Sequence, residues 1–329
     1  MKIAVIHDYA DALRNTRAYP KLQAGGHQVA IYNDAYTDPA RVVEQVKGCD
    51  ALLLTQQRVT VTRRILEQLP QLKFISQTGR NVSHLDVAAC TDLGILVSAG
   101  GHDGGSPYTT TGELAWALIL ASLRHLPYEV ERFKAGHWHT TVGTRLAGAT
   151  LGIYAFGHIG SGVARVGRAF GMNVVCWGRE GSLAKAKAEG FDIAASREAF
   201  FEQSDVISLH IKSNESTHGI ITAADLARMK PTSLLVNTSR APIIAEGALV
   251  AALEKGRPGF AAVDVYEEEP VTGANHPLLK MKNALCTPHL GYSEKGSYEA
   301  VYAGGVEQLL AYAAGKPINV LNPQAAGKR

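Results

Sequence analysis

No run of this 329-residue chain is apolar for long enough to cross a bilayer. The opening, Met1-Lys2-Ile3-Ala4-Val5-Ile6-His7-Asp8, is a short strand pattern broken by charge, so it reads as neither a signal peptide nor a membrane span. Excess charge is also missing: the formal net charge is +3, with no Lys/Arg run and no basic-aromatic stripe, which argues against nucleic acid as a main partner. The four cysteines, Cys49, Cys90, Cys176 and Cys286, stand far apart and form no CxxC or Cys/His ligand spacing. They read as buried free thiols; no metal site is expected, and the protein is expected to be cytoplasmic. There is no internal repeat and no low-complexity tract. The chain is too long for one ordinary core, and its apolar content, 46%, is ample for two.

The most informative stretch runs from Leu151 to Arg179. An apolar run, Leu151-Gly152-Ile153-Tyr154-Ala155-Phe156, turns through Gly157-His158-Ile159-Gly160 into a helix-period segment closed by Gly171. A β-branched and aromatic run, Asn173-Val174-Val175-Cys176-Trp177, follows. Strand, glycine turn, helix and strand are the opening unit of a dinucleotide-binding domain. Gly157 lets the backbone approach a pyrophosphate, Gly160 lets the helix pack closely on the strand, and the N–H groups of the helix start, at His158 and Ile159, face the anion. The tight-turn glycine is replaced by Ala155, giving AxGxxG; alanine is expected to fit there with a negative φ.

Before this unit, strand patterns at Ile3–Ile6, Gln28–Tyr32, Ala51–Thr55, Phe74–Gln77 and Ile95–Val97 alternate with helical segments such as Val61–Gln68 and Asp86–Asp92, predicting a parallel α/β domain. A glycine-dense loop, Ala99–Pro107, is a hinge candidate. Gly112–Leu126 reads as one helix, apolar nearly all round and hence expected to be buried between domains or subunits. After the glycine turn come strands at Val206–His210, Leu234–Asn237, Phe260–Val265 and Ala284–Cys286, with helices at Ala223–Met229 and Ala245–Lys255, completing a doubly wound sheet. Ligands of such sheets bind outside the carboxyl ends of the strands, which draws attention to the loops Asn237-Thr238-Ser239-Arg240, Asp264–Pro270 and Thr287-Pro288-His289.

Those loops carry a resemblance. Leu235–Arg240, Val263–Pro270 and Thr287–Gly291 resemble the arginine, acidic and histidine motifs of the D-isomer-specific 2-hydroxyacid dehydrogenases, a family that includes glyoxylate/hydroxypyruvate reductases and phosphoglycerate dehydrogenases. The similarity runs almost continuously from Lys73 to Tyr292. It implies two doubly wound parallel-sheet domains, a Rossmann NAD(P)-binding domain over 105–290 inserted into a flavodoxin-like substrate domain made of 1–104 and 291–329, which the helix Ser297–Gly315 completes.

Reduction of a 2-oxo acid needs hydride delivery to carbon, a proton for oxygen, and a cation for the carboxylate and carbonyl. Histidine, with an ordinary pKa of about 6.5, is the natural proton donor. The expectation is therefore that His289 donates the proton, Glu269 pairs with it and favours its charged form, and Arg240 clamps the substrate. Each of these residues alone is more often structural; it is the set, in the family's order, that points to chemistry. The resemblance further places Thr78-Gly79-Arg80-Asn81 as the substrate-carboxylate loop, with Asn81, tolerant of positive φ, in place of a second glycine. It also places Thr238, Asp264 and Gly291 beside the cofactor. Tyr292 narrows the pocket or fills it, and His210 reads as structural or packed beside the cofactor.

An NAD site wants an acid at the end of the second strand for the ribose 2′-hydroxyl, whereas arginine accommodates a 2′-phosphate. Here the residues are Gly178 and Arg179, so NADP is the preferred cofactor; Glu180 follows, and if it swings back to bind the ribose, NAD is used, which is the alternative. Alternatives on the same scaffold are phosphoglycerate dehydrogenase, phosphite dehydrogenase and a cofactor-sensing, corepressor-like binding protein. Relatives dimerise through the cofactor domain, so a homodimer is expected, with Glu129–Ala147 and its Trp138 as the exchanged arm. The two domains are expected to close over a small 2-oxo or 2-hydroxy acid.

Overall fold

A computed structural model describes residues 1–36, 38–100 and 109–328. The chain divides into two compact units, Met1–Ser106 with Glu294–Arg329, and Pro107–Ser293. Each holds one wholly parallel sheet.

The first unit is built on β1 (Lys2–Ile6), β2 (Gln28–Ile31), β3 (Ala51–Leu54), β4 (Phe74–Gln77) and β5 (Leu96–Ala99), in the order β2-β1-β3-β4-β5. A sheet covered on both faces reads as continuous apolar sequence rather than alternation, which is why Ala51-Leu52-Leu53-Leu54 is buried at every position. One face packs on Val42, Ile65, Leu66 and Ala89; the other packs on Leu22 and on Tyr302, Val306 and Leu309 of the helix Lys295–Ala313. That helix lies very close to the sheet. A Cβ at Gly305 would sit 2.7 Å from the Leu53 side chain, and Ser76 Oγ donates to the Gly305 carbonyl at 2.9 Å.

The second unit contains β6 (Thr150–Tyr154), β7 (Asn173–Trp177), β8 (Asp192–Ile193), β9 (Val206–Leu209), β10 (Leu234–Asn237), β11 (Phe260–Val263) and β12 (Ala284–Cys286), ordered β12-β11-β10-β9-β6-β7-β8. The chain runs outward from β6 in one direction through β7 and β8, then restarts at β9 on the other side, so the switch point lies between β6 and β9.

Several sequence expectations change. The apolar segment expected as one helix over Gly112–Leu126, between domains or subunits, is instead a helix Thr109–Leu123 packed on β10, β11 and the helix His158–Ala169, with Ala115 and Ile119 fully buried in the core of the second unit. It stops before His125, whose φ is +50°, and a second helix, Leu126–Lys134, begins with Pro127 in its first turn, where the missing N–H costs no helical bond. The helix expected over Val61–Gln68 shrinks to Arg63–Leu66 because Val61 is taken up in a parallel bridge with Leu85. The proposed hinge Ala99–Pro107 lies, from residue 101 onward, outside the described residues. No helix of the described residues is long and apolar enough to cross a membrane, and no group of three or more His, Cys, Asp or Glu among them could hold a metal ion.

Candidate active site

The carboxyl edge of the second sheet gathers the residues of interest, because parallel strands all deliver their following loops to one edge. From β10 the chain enters Thr238-Ser239-Arg240. Asn237 shapes this loop: its side chain accepts from Ser239 N at 3.0 Å and donates to the Arg240 carbonyl at 3.0 Å. Arg240 is exposed, with Nη1 on the Ser239 carbonyl at 2.6 Å.

From β11 the chain reaches Glu269, and from β12 it reaches His289. Glu269 Oε1 accepts from Tyr266 N at 2.9 Å, and Oε2 meets His289 Nδ1 at 2.5 Å. Both side chains are about one-third exposed, 27% for His289 and 32% for Glu269. Burial by itself pushes the Glu269 carboxyl up; the His289 hydrogen bond and charge, the Tyr266 N–H and the Arg240 charge outweigh it, and the group is held below its ordinary value. With Nδ1 engaged, the imidazole has Nε2 left for a ligand. The Tyr292 ring stands edge-on to His289 at 5.5 Å. Arg240, Glu269 and His289 are thus brought to one edge from three loops, as their order in the sequence suggested.

The glycine turn after β6 offers an anion cradle. The helix His158–Ala169 has Gly157 at its N-cap with no side-chain cap, so the leading N–H groups have no intrahelical acceptor. Nothing lies within 4 Å of a Cβ built on Gly157, whereas one on Gly160 would fall 2.3 Å from the Ala155 carbonyl. The first glycine therefore leaves room above the turn, and the second permits close helix–strand packing. Thr238 Oγ1 is buried without a hydrogen-bond partner. These features fit a nicotinamide dinucleotide.

Ala155 departs from expectation: its φ is +75°, not negative. The turn holds Ala155 in this conformation, with its N–H tied to the Trp177 carbonyl at 2.7 Å. At the end of β7, Gly178 has φ +155°, and a Cβ there would lie 3.3 Å from Ser182 Oγ and 3.4 Å from Ala155 Cα. Arg179 follows, exposed, 3.3 Å from Ser216 Oγ. His210 hydrogen-bonds Ser208 Oγ at 3.0 Å, and burial lowers its pKa to about 4, so it is neutral at working pH.

In the first unit, Gly79 has φ +89° with open space around it, but Asn81 is not in the left-handed region. Its side chain instead accepts from Ser83 N at 2.9 Å, an Asx turn, so the second glycine of the expected loop is replaced by a different turn chemistry. Thr78 is buried, and both its N–H and its hydroxyl are spent on the Leu54 carbonyl, at 3.0 Å each. The N–H groups of 79–81 are the remaining candidates for an anion. Arg80 is exposed.

Comparison with known proteins supplies the family. Residues 116–291 match the family described as D-isomer specific 2-hydroxyacid dehydrogenase, NAD binding domain. The chain belongs to this family. It is 35% identical over 311 residues to a glyoxylate reductase of Aeropyrum pernix, spanning 90% of both chains. It is 34% identical to a D-3-phosphoglycerate dehydrogenase of Methanocaldococcus jannaschii, covering 82% of this chain and 50% of that one. Among solved structures, a phosphoglycerate oxidoreductase of Vibrio cholerae O395 superposes with a TM-score of 0.88 at 44% identity, over 96% of this chain and 99% of the other. As a D-isomer specific 2-hydroxyacid dehydrogenase, the chain is an oxidoreductase that uses a nicotinamide cofactor. Sequence reasoning named Arg240, Glu269 and His289, gave Asn237 no role of its own within its loop, and gave Asp264 only a place beside the cofactor; the signal for both was their position, at or one residue past a strand end.

Proposed function

We propose that this dehydrogenase reduces a small 2-oxo acid of the glyoxylate or hydroxypyruvate class to the D-2-hydroxy acid, with NADPH as the preferred cofactor. The observation that carries the reading is the His289–Glu269 pair on the same sheet edge as Arg240. The cofactor, when bound, supplies hydride to the carbonyl carbon. His289 gives its proton to the carbonyl oxygen, so that oxo acid, hydride and proton sum to the hydroxy acid. Glu269 fixes the imidazole through Nδ1 and balances its charge, and Arg240 holds the carboxylate and polarises the carbonyl. The N–H groups of Gly79, Arg80 and Asn81 are assigned to the substrate carboxylate on the family resemblance. Gly157, His158, Ile159, Gly160, Thr238, Asp264 and Gly291 are assigned to the cofactor's side of the site.

The preference for NADPH rests on the end of β7. The backbone at Gly178 disfavours any side chain, so the acid that would take a ribose 2′-hydroxyl is absent for a conformational reason, while exposed Arg179 suits a 2′-phosphate. Initial rates with NADPH and NADH over glyoxylate, hydroxypyruvate, pyruvate and 3-phosphohydroxypyruvate test both points. Turnover of the first two with NADPH preferred is the expected result, and no turnover of any oxo acid with either cofactor would refute the reading. The 3-phosphohydroxypyruvate arm is included because the Vibrio cholerae structure bears a phosphoglycerate oxidoreductase name.

We also assign a homodimer to this chain. The helix Leu126–Lys134 has no buried residue, and Phe133, Trp138 and Val142 are 63%, 82% and 87% exposed along a groove of about 970 Å³ within the second unit. So much aromatic and aliphatic surface in one segment calls for a cover, and a second copy of the same arm supplies one.

A further inference from the structure

Tyr266 belongs to the acidic segment after β11, yet its two polar groups serve different segments. Its N–H donates to Glu269 Oε1 at 2.9 Å, while its hydroxyl crosses to the segment after β12 and donates to the Thr287 carbonyl at 3.0 Å. The same carbonyl accepts from His289 N at 3.0 Å, which closes a three-residue turn around Pro288. His289 itself stands at φ +54°, a conformation unusual for a residue with a side chain. A carbonyl oxygen has two lone pairs, so both bonds are held at once. With Glu269 Oε2 on His289 Nδ1 at 2.5 Å, the bonds run in a closed circuit from the Tyr266 N–H through the Glu269 carboxylate, the His289 imidazole and N–H and the Thr287 carbonyl back to the Tyr266 hydroxyl.

The ring that spans this circuit is itself held. Tyr266 is 8% exposed, the His276 ring stands edge-on to it at 5.0 Å, and His276 Nε2 lies 2.9 Å from Glu267 Oε2. Burial pushes the phenol well above its ordinary pKa, so the hydroxyl keeps its proton and remains a donor. The Cys286 side chain is a second neighbour of that hydroxyl. A phenylalanine would fill the same space, and only the hydroxyl links the two segments.

We propose that Tyr266 is a positioning residue for His289: its rigid ring acts as a spacer whose N–H fixes the Glu269 carboxylate and whose hydroxyl fixes the turn at 287–289. Imidazole and carboxylate then meet without reorganisation. The inference rests on the assignment of His289 as proton donor.

Tyr266→Phe keeps the ring and deletes one bond. It lowers kcat about three- to tenfold, the effect of one ordinary hydrogen bond, with KM for the oxo acid and Kd for NADPH within about twofold of wild type. Because the hydroxyl acts through the Glu269–His289 pair, its loss matters less once that pair is broken. In a Glu269→Gln background, Tyr266→Phe lowers kcat by less than about twofold more. A tyrosine that only stabilises the fold would lower the unfolding midpoint with kcat unchanged, or multiply its loss onto that of Glu269→Gln, and either result overturns the proposal. Cys286→Ala retains wild-type kcat; a loss equal to that of Tyr266→Phe would make the thiol the working partner of the hydroxyl and overturn it as well. The His289 Nδ1 proton, followed by NMR without substrate, gives a readout independent of turnover. Its downfield resonance in the wild type moves upfield or broadens away in Tyr266→Phe, and an unchanged resonance would count against the proposal. A wild type that shows this resonance and its change in Tyr266→Phe, yet reduces no oxo acid, defeats the functional reading and leaves the positioning role standing.

Discussion

Glu269→Gln is the most exacting test of the site. Gln keeps the length and shape of the side chain but has one acceptor oxygen where Glu269 uses two, on Tyr266 N at 2.9 Å and on His289 Nδ1 at 2.5 Å. If the amide oxygen keeps Tyr266, its NH2 faces Nδ1 and forces the other imidazole tautomer; if it swings to His289, the Tyr266 N–H is left unmet. Either way a charge-assisted hydrogen bond, about 1.5–3 kcal/mol, gives way to a neutral one of about 1 kcal/mol. A loss near 1–2 kcal/mol in the protonated state that delivers the proton corresponds to roughly 5–30-fold in kcat. NADPH oxidation followed over pH 5–9 measures it, with Kd for the cofactor as control. Stability gives a second, independent readout. The Glu269 carboxyl is held below its ordinary value in the folded protein, so its contribution is fully present above the unfolded value of 4.5 and is lost as pH falls through the folded value. The stability difference between wild type and Glu269→Gln should therefore be flat above about pH 5 and shrink below it. Wild-type kcat with an unaltered pH profile in Glu269→Gln would refute the pairing.

Replacing the proton donor should cost more: His289→Ala is expected to lower kcat about 10²–10⁴-fold while NADPH still quenches protein fluorescence with near-wild-type Kd. Ala155→Gly should stabilise the second unit by up to about 1 kcal/mol, since relief of a left-handed alanine, about 1–2 kcal/mol, exceeds the added chain entropy of glycine, about 0.5–1 kcal/mol; denaturant titration reads the shift, and destabilisation would show that the turn is not strained. Arg179→Ala should raise KM for NADPH about tenfold and leave NADH unchanged, and equal losses with both cofactors would count against the 2′-phosphate role. Trp138→Ala combined with Val142→Lys should convert a dimer to a monomer in light scattering at micromolar concentration, and an unchanged mass would place the interface elsewhere.

Much of this protein was legible along the chain because the signals are local. Continuous apolar runs such as Ala51–Leu54 and Leu234–Val236 mark strands buried on both faces, and glycine at 157 and 160 marks the anion turn, since only the backbone of those few residues has to fit. The loops that hold Arg240, Glu269 and His289 could be singled out for the same reason, since parallel strands send their loops to one edge, and the resemblance to the family then picked out the three residues within them. Local pattern failed where distant neighbours decide. The apolar face of Thr109–Leu123 could not say which sheet it would cover, and nothing near Ala155 in sequence reveals that the Trp177 carbonyl across the sheet and the tight turn hold it at φ +75°. Thr78 looked like a ligand group until the Leu54 carbonyl, 24 positions earlier in the chain, claimed its hydroxyl. Asp264 shows the division most clearly. The sequence determined that an acid lies near the end of the strand that begins at Phe260; the tertiary structure alone decided its hydrogen bonds, because three donors spread over residues 287–291 converge on one buried carboxylate only after β11 and β12 have paired.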